Sequence, residues 1–147
     1  MNWIYEGKSI TDIKELGDGV IGFVYCISFD DPCVFNRSKY MGRKQVLSFR
    51  RIKKGKRELA LMTDKRGSKY KEVVKESDWK TYTGSCKDPI YLEKIKEGKY
   101  TKHIIEVATS KKQLTYLETK HLFVNGVLES DEYFNSNILG KFYKKDV

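Results

Sequence analysis

The most chemically pointed residue in this chain is a carboxylate on a helix. Ser110, followed three residues later by Gln113, is a capping-box pair and predicts a helix start. From that start Leu114, Leu117, His121 and Leu122 fall on one stripe, because side chains three and four apart share a helix face. Glu118 lies on the same stripe, four after Leu114 and four before Leu122. A carboxylate on a core-facing stripe is costly unless it is paired or bound to a cation. Two readings follow: a boundary residue that reaches solvent, or a lone ligand for a divalent metal. His121 could reach toward Glu118 or be a satisfied core histidine, and His103 carries no pattern. Ser85 and Cys86 have no base nearby in sequence, which argues against a nucleophile triad.

The 147 residues suit one domain, 1–147, with one real core. No stretch approaches the ~20 apolar residues of a membrane span, and Met1-Asn2-Trp3-Ile4 does not read as a signal peptide. Cys26, Cys33 and Cys86 form no C-x-x-C pair, so the expectation is a reducing cytosol, with neither a disulfide framework nor structural zinc. The net charge of +9 is concentrated: residues 43–80 hold 14 Lys and Arg against five Asp and Glu, and the remainder is balanced. Such a segment suits a polyanion, most simply nucleic acid. Phe49, Tyr70, Trp79 and Tyr82 interleaved with the charges favour that reading over a solvated basic loop.

The positioning elements can be placed along the chain. Residues 1–19 form an N-terminal arm that Gly17-Asp18-Gly19 closes, and Trp3, Ile4 and Tyr5 could pack on the core. Residues 20–29 (VIGFVYCISF) read as a strand covered on both faces. Asp30-Asp31-Pro32 breaks it, Asn36 turns the chain, and residues 37–47 read as a second strand, giving a β-hairpin. Within the basic insert, 43–80, residues 57–62 fit a helical turn or a short strand equally well. Ser77-Asp78-Trp79 predicts a short helix ending at Gly84, and Asp88-Pro89 a firmer one ending at Gly98. Residues 103–108 (HIIEVA) read as a strand, followed by the Glu118 helix and a basic tail, 139–147. The fold class is therefore α/β (α+β): a mainly antiparallel three-stranded sheet flanked by helices, with the basic insert after the hairpin.

Three pieces taken together carry a resemblance: Phe23-Val24-Tyr25, Lys39-Tyr40-Met41-Gly42, and Leu117-Glu118-Thr119-Lys120-His121-Leu122. The pattern resembles the GIY-YIG nucleases, with Phe-Val-Tyr in place of Gly-Ile-Tyr and Tyr-Met-Gly in place of Tyr-Ile-Gly. Phe134-Asn135 fits the later Tyr-Asn context. Tyr40 to Gln45, leading into a basic insert, and Glu76 to Ser85 are similar to the phage-encoded Seg-type branch of homing endonucleases. The resemblance runs from about residue 3 to 138. Position 23 lacks the leading Gly of the first motif, although Gly22 precedes it, and the hairpin loop is long for the family.

The resemblance implies a metal-dependent DNA endonuclease, with the alternative of a noncatalytic nucleic-acid-binding protein that retains the fold. Glu118 would hold Mg²⁺ (or Mn²⁺), with waters and phosphate oxygens completing the shell. Tyr25 would be the general base or water positioner, with Lys44 and Arg50 favouring a phenolate whose ordinary pKa is ~10. Tyr40 would be its partner, Arg50 or Arg51 would clamp the scissile phosphate, and Asn135 would hold a ligand or a loop. Without the resemblance, both tyrosines read as core aromatics and Asn135 as a turn residue. Arg43, Lys53, Lys54, Lys56, Arg57 and Lys80 would contact DNA. The expected setting is the cytoplasm of an infected bacterial host, with no membrane partner and with homo-oligomerisation as one route to specificity.

Overall fold

The computed structural model describes residues 1–31 and 36–147. Pro32, read above as a strand breaker, and the thiol of Cys33 lie outside them. Strands β1 (Trp3–Tyr5), β2 (Lys8–Ile10), β3 (Gly22–Phe29) and β4 (Lys39–Gln45) precede β5 (Leu47–Lys53), helix α1 (Lys56–Ala60) and β6 (Tyr70–Glu76). Helix α2 (Pro89–Glu97), strand β7 (Tyr100–Ala108) and helix α3 (Lys111–Val124) follow, then the two-residue strands β8 (Asn137–Ile138) and β9 (Phe142–Tyr143).

The expected antiparallel trio is present as β4-β3-β7, with β3 central. The sheet has five strands rather than three, in the order β2-β1-β7-β3-β4. The arm adds the other two, with β1 parallel to β7 and β2 antiparallel to β1. Burial of Trp3 anchors this extension: its ring is wholly enclosed, and Nε1 donates to the Trp79 carbonyl at 2.6 Å.

Alternation along β3 divides the interior. Phe23, Tyr25, Ile27 and Phe29 face a core with Trp3, Trp79, Tyr91 and Phe134. Val24 faces the other way, joining Met41 of β4 against Leu114, Leu117 and Leu122 of α3. The apolar stripe read from sequence is therefore the face of α3 that packs on the sheet. Its start also follows the expected chemistry, since Ser110 Oγ accepts from Gln113 N at 3.1 Å. Helix α2 starts at the Asp88 cap with Pro89 next, and Gly98 ends it in the left-handed conformation, φ 75°.

The helix expected over residues 77–84 is absent, and the segment forms turns. Ser77 does not cap; its Oγ donates to the Gln45 carbonyl at 2.6 Å. Trp79 is wholly buried and its Nε1 donates to Glu76 Oε1 at 2.7 Å. Tertiary ties of this kind outweigh a local helix-start signal. Residues 56–60 resolve as the short helix α1. Of the insert read as 43–80, residues 43–45 complete β4, and β5 with β6 form an antiparallel two-stranded ribbon that belongs to no larger sheet.

Candidate active site

Strand β4 is an edge strand, and a cleft of about 820 Å³ opens along it. Tyr40, Met41, Gly42 and Arg43 form one wall, Glu118 and Leu122 of α3 another, and residues 85–88 and 133–137 with Arg37, Leu139 and Lys144 the rest. The alternation of β4 sorts its polar side chains. Arg43 lies on the α3 side with Met41, while Lys44 lies on the opposite side with Tyr82.

Glu118 is only 17% exposed. Its Oε1 lies 3.8 Å from Arg43 Nε, and the Arg43 guanidinium also donates to Thr115 Oγ1. Burial raises the Glu118 pKa above the ordinary carboxylate value, and the charge and backbone amide of Arg43 only partly counter it. The carboxylate is therefore neither a solvated boundary residue nor a fully compensated ion pair. His121 does not reach it; its Nε2 pairs with Glu106 Oε2 at 2.6 Å.

Tyr40 lines the same cleft, with its hydroxyl 3.0 Å from Ser85 Oγ. Desolvation raises its pKa, the Ser85 hydrogen bond opposes this, and nearby groups including Glu118 raise it further. Asn135 is buried behind the strand. Its Oδ1 accepts from Met41 N at 3.0 Å and its Nδ2 donates to Met41 O at 2.7 Å. One side chain thus satisfies both polar groups of a residue on an unpaired strand edge, and fixes the backbone between Tyr40 and Gly42.

Other sequence-predicted residues lie elsewhere. Tyr25 has no exposed surface and is not among the cleft-lining residues. Its ring packs on Trp3 at 5.3 Å and on Tyr82 at 5.9 Å. Burial, and then the neighbouring phenols Tyr40 and Tyr82, push its pKa far above the ordinary phenol value. Its hydroxyl tucks under Gly42, where an added Cβ would sit 2.7 Å from the oxygen. Lys44 Nζ lies 2.6 Å from Asp78 Oδ1 and 4.1 Å from the Tyr82 ring centroid, on the face away from Glu118. Arg50, Arg51 and Lys53 are on β5, Lys54 follows it, Lys56 and Arg57 are on α1, and Lys80 is in the turn after Trp79.

The cleft brings together Tyr40, Arg43, Glu118 and Asn135. Arg43, read from sequence as a DNA contact, is the guanidinium beside Glu118, whereas Arg50 and Arg51 are not in the cleft. The two-residue period was the available signal: it puts Arg43 on the side of Met41 and hence of α3. Arg37, Lys87 and Lys144 also line the cleft and were not singled out by sequence reasoning. They join it only through tertiary folding, so no local spacing marks them.

One carboxylate is a sparse metal site. Among the described residues no group of three or more His, Cys, Asp or Glu side chains could hold an ion. Asp88 is nearby, but it caps α2 through Ile90 N and lies 3.7 Å from Arg37. A single protein carboxylate suits Mg²⁺, which keeps several waters and completes its shell with substrate phosphate. It does not suit zinc, which takes three or four protein ligands.

Residues 3–138 match a family described as "Putative endonuclease segE, GIY-YIG domain". The match covers nearly the whole chain and places it among GIY-YIG domain proteins, a class of nucleases. Within that class the chain belongs to the SegE-type family. No curated protein and no solved structure matches it. Among the described residues no helix is long and apolar enough to cross a membrane.

Proposed function

We propose that the chain is a metal-dependent DNA endonuclease that hydrolyses a phosphodiester bond in the cleft beside β4. The observation that carries this reading is the placement of Glu118, an incompletely compensated carboxylate in a cleft otherwise rich in cations. In a family of nucleases, a phosphate and a divalent cation are the ligands that make both signs of charge useful. The proposed setting is a phage-encoded protein acting in the cytoplasm of an infected bacterium.

Arg43 holds the scissile phosphate, where a planar guanidinium can give two hydrogen bonds to one anion. Arg37, Lys87 and Lys144 surround the cleft and add positive potential for the DNA strand. Glu118 would hold Mg²⁺ or Mn²⁺, which when bound supplies charge neutralisation for the phosphorane-like transition state and for the departing oxygen. Tyr40, its hydroxyl 3.0 Å from Ser85 Oγ, works as a neutral phenol whose oxygen accepts from the attacking water and orients it. Asn135 positions Tyr40 through the strand and touches no substrate. Tyr25 supports the same strand from beneath, while Arg50 and Arg51 contact DNA outside the cleft.

Burial of Tyr25 away from the cleft favours a second reading, the noncatalytic DNA-binding protein. Incubation with supercoiled plasmid separates the two. The endonuclease nicks or linearises plasmid in Mg²⁺, stops in EDTA, and loses activity in Glu118→Gln and Arg43→Ala. Metal-independent cutting would remove the role given to Glu118. No cutting of supercoiled, linear, single-stranded or base-modified DNA, with equal binding by wild type and Glu118→Gln, would establish the binding protein instead.

A further inference from the structure

We infer that the β5–β6 ribbon is a separate duplex-reading device that lies in the DNA major groove, with the face bearing Arg50, Val73 and Lys75 toward the bases. The inference rests on DNA being the substrate. It adds a recognition surface that the cleft does not contain.

The register defines two faces. Ser48 opposes Lys75, Arg50 opposes Val73 and Ile52 opposes Lys71, so these six share one side. That side carries three cations, two apolar side chains and no carboxylate. The other side alternates Arg51 and Lys53 with Glu72 and Glu76, and Arg51 stacks on Tyr70 at 4.9 Å. Among the described residues neither Arg50 nor Lys75 forms an ion pair, whereas Lys71 pairs with Glu58 of α1. Residues 47–76 hold eleven basic side chains against four acidic ones. A surface of that sign fits a polyanion and repels a basic protein partner.

The ribbon also lacks a reason to stand alone. Phe49, Ile52, Tyr70, Val73 and Val74 are exposed, and a solitary two-stranded hairpin is marginal in water. Two paired strands fit a major groove roughly 12 Å wide, and seven residues reach about 20 Å along it. Arg50 is suited to a guanine edge, and Ile52 and Val73 to thymine methyl groups. Minor-groove entry would instead put bulky apolar side chains in a slot about half as wide.

The root is rigid. Val46 is wholly buried, its N donates to Ile21 O at 2.7 Å, and its carbonyl accepts from Ser77 N at 2.8 Å. Leu47 begins the ribbon four residues after Arg43, about 13 Å along an extended chain. Groove contacts should therefore lie within about one helical turn, roughly 34 Å, of the bond that is cut.

The test measures duplex affinity of the full chain in EDTA, so it needs no cleavage. Methyl green occupies the major groove and netropsin the minor groove. Methyl green should weaken wild-type binding roughly tenfold or more, and netropsin should change it less than about twofold. Arg50→Ala with Lys75→Ala should lose roughly tenfold in affinity, abolish the methyl green effect, and lower the salt slope by about 2. Lys96→Ala on α2 removes one charge away from the ribbon and should leave the methyl green effect intact. Competition by netropsin alone, or a double variant with unchanged affinity and salt slope, would overturn the inference. Groove-selective binding by a protein that never cuts supports the ribbon and refutes only the nuclease reading. Cleavage in Mg²⁺ that ignores methyl green refutes the ribbon alone.

Discussion

Glu118→Gln should make the protein more stable while it destroys activity. The carboxylate is 17% exposed and faces one guanidinium at 3.8 Å. With an effective dielectric of about 20, that attraction is worth roughly 4 kcal/mol. Burial of a carboxylate costs several kcal/mol. The raised pKa of Glu118 says that burial outweighs Arg43. The folded protein therefore holds the Glu118 proton more tightly than the unfolded chain does. Any stability linked to that proton is present below the ordinary value of 4.5 and is lost as pH rises through the raised folded value. Glutamine keeps the shape and removes the charge, and Arg43, 43% exposed, stays solvated without its partner. We expect a gain on the order of 1 kcal/mol at pH 7, or about 3 °C in Tm for a chain of this size. Thermal melts of both proteins at pH 4, 5.5 and 7 check it, with the difference near zero at pH 4 and growing toward pH 7. Plasmid cleavage should fall by roughly 10³-fold or more, in proportion to the several kcal/mol of charge stabilisation a bound metal supplies. A destabilised Glu118→Gln, or a Tm difference independent of pH, would refute the claim that this carboxylate is undercompensated.

Asn135→Ala should cost roughly 2 kcal/mol, because it orphans both polar groups of Met41, and should lower kcat more than it alters DNA affinity; urea unfolding and gel shifts measure the two effects. Gly42→Ala should cost roughly 1–3 kcal/mol through the close approach to the Tyr25 hydroxyl. Tyr25→Phe removes that oxygen, so adding it should recover at least about 0.5 kcal/mol, and strictly additive losses in a double-mutant cycle would reject the contact. Lys102 is buried, donates to Lys80 O and Tyr82 O, and is pushed down to about 8 by desolvation. The unfolded chain binds its proton more tightly, so stability should rise by roughly 1 kcal/mol per pH unit from about 8 toward 10. Above pH 10 the raised pKa values of Tyr25 and Tyr91 reverse the trend, because their phenols ionise first in the unfolded chain. Urea melts of wild type and Lys102→Met over pH 7–10 check this, and only the wild type should show the rise.

What was legible in the sequence was local. Ser110 with Gln113 and Asp88 with Pro89 set helix starts through side-chain and backbone chemistry within three residues, and both starts are found. The stripe of Leu114, Leu117 and Leu122 identified the buried face of α3 and made Glu118 conspicuous. Ser77 carried the same kind of signal and made no helix, because its hydroxyl bonds Gln45 across 32 residues. The family resemblance picked out Asn135, but its role as a clamp on Met41 depends on a contact 94 residues away. Tyr25 lies on a strand with both faces covered, and that pattern by itself argues for burial. The sequence does not show that the arm adds two strands, since three-residue strands give almost no periodic signal.

A single stretch of chain links the chemistry to the proposed recognition. From Tyr40 to Arg43 it is an edge strand whose outer side forms a cleft wall, and Asn135 replaces the missing neighbour strand there. At Val46 it passes through the core, and from Leu47 it leaves the sheet as half of the basic ribbon. An edge strand left open invites unwanted pairing, and this one is managed by a polar clamp at one end and departure from the sheet at the other. The same arrangement explains why the positive charge is so unevenly distributed. The cations lining the cleft, Arg37, Arg43, Lys87 and Lys144, come from separate segments of the chain, an arrangement that under the proposed reading leaves Glu118 able to bind a metal. Cations on the ribbon have no such constraint, and they accumulate on two strands that are mostly exposed. On this view the dispersed charge of the cleft and the dense charge of the insert are two answers to one polyanion, with the buried Val46 joining the two segments.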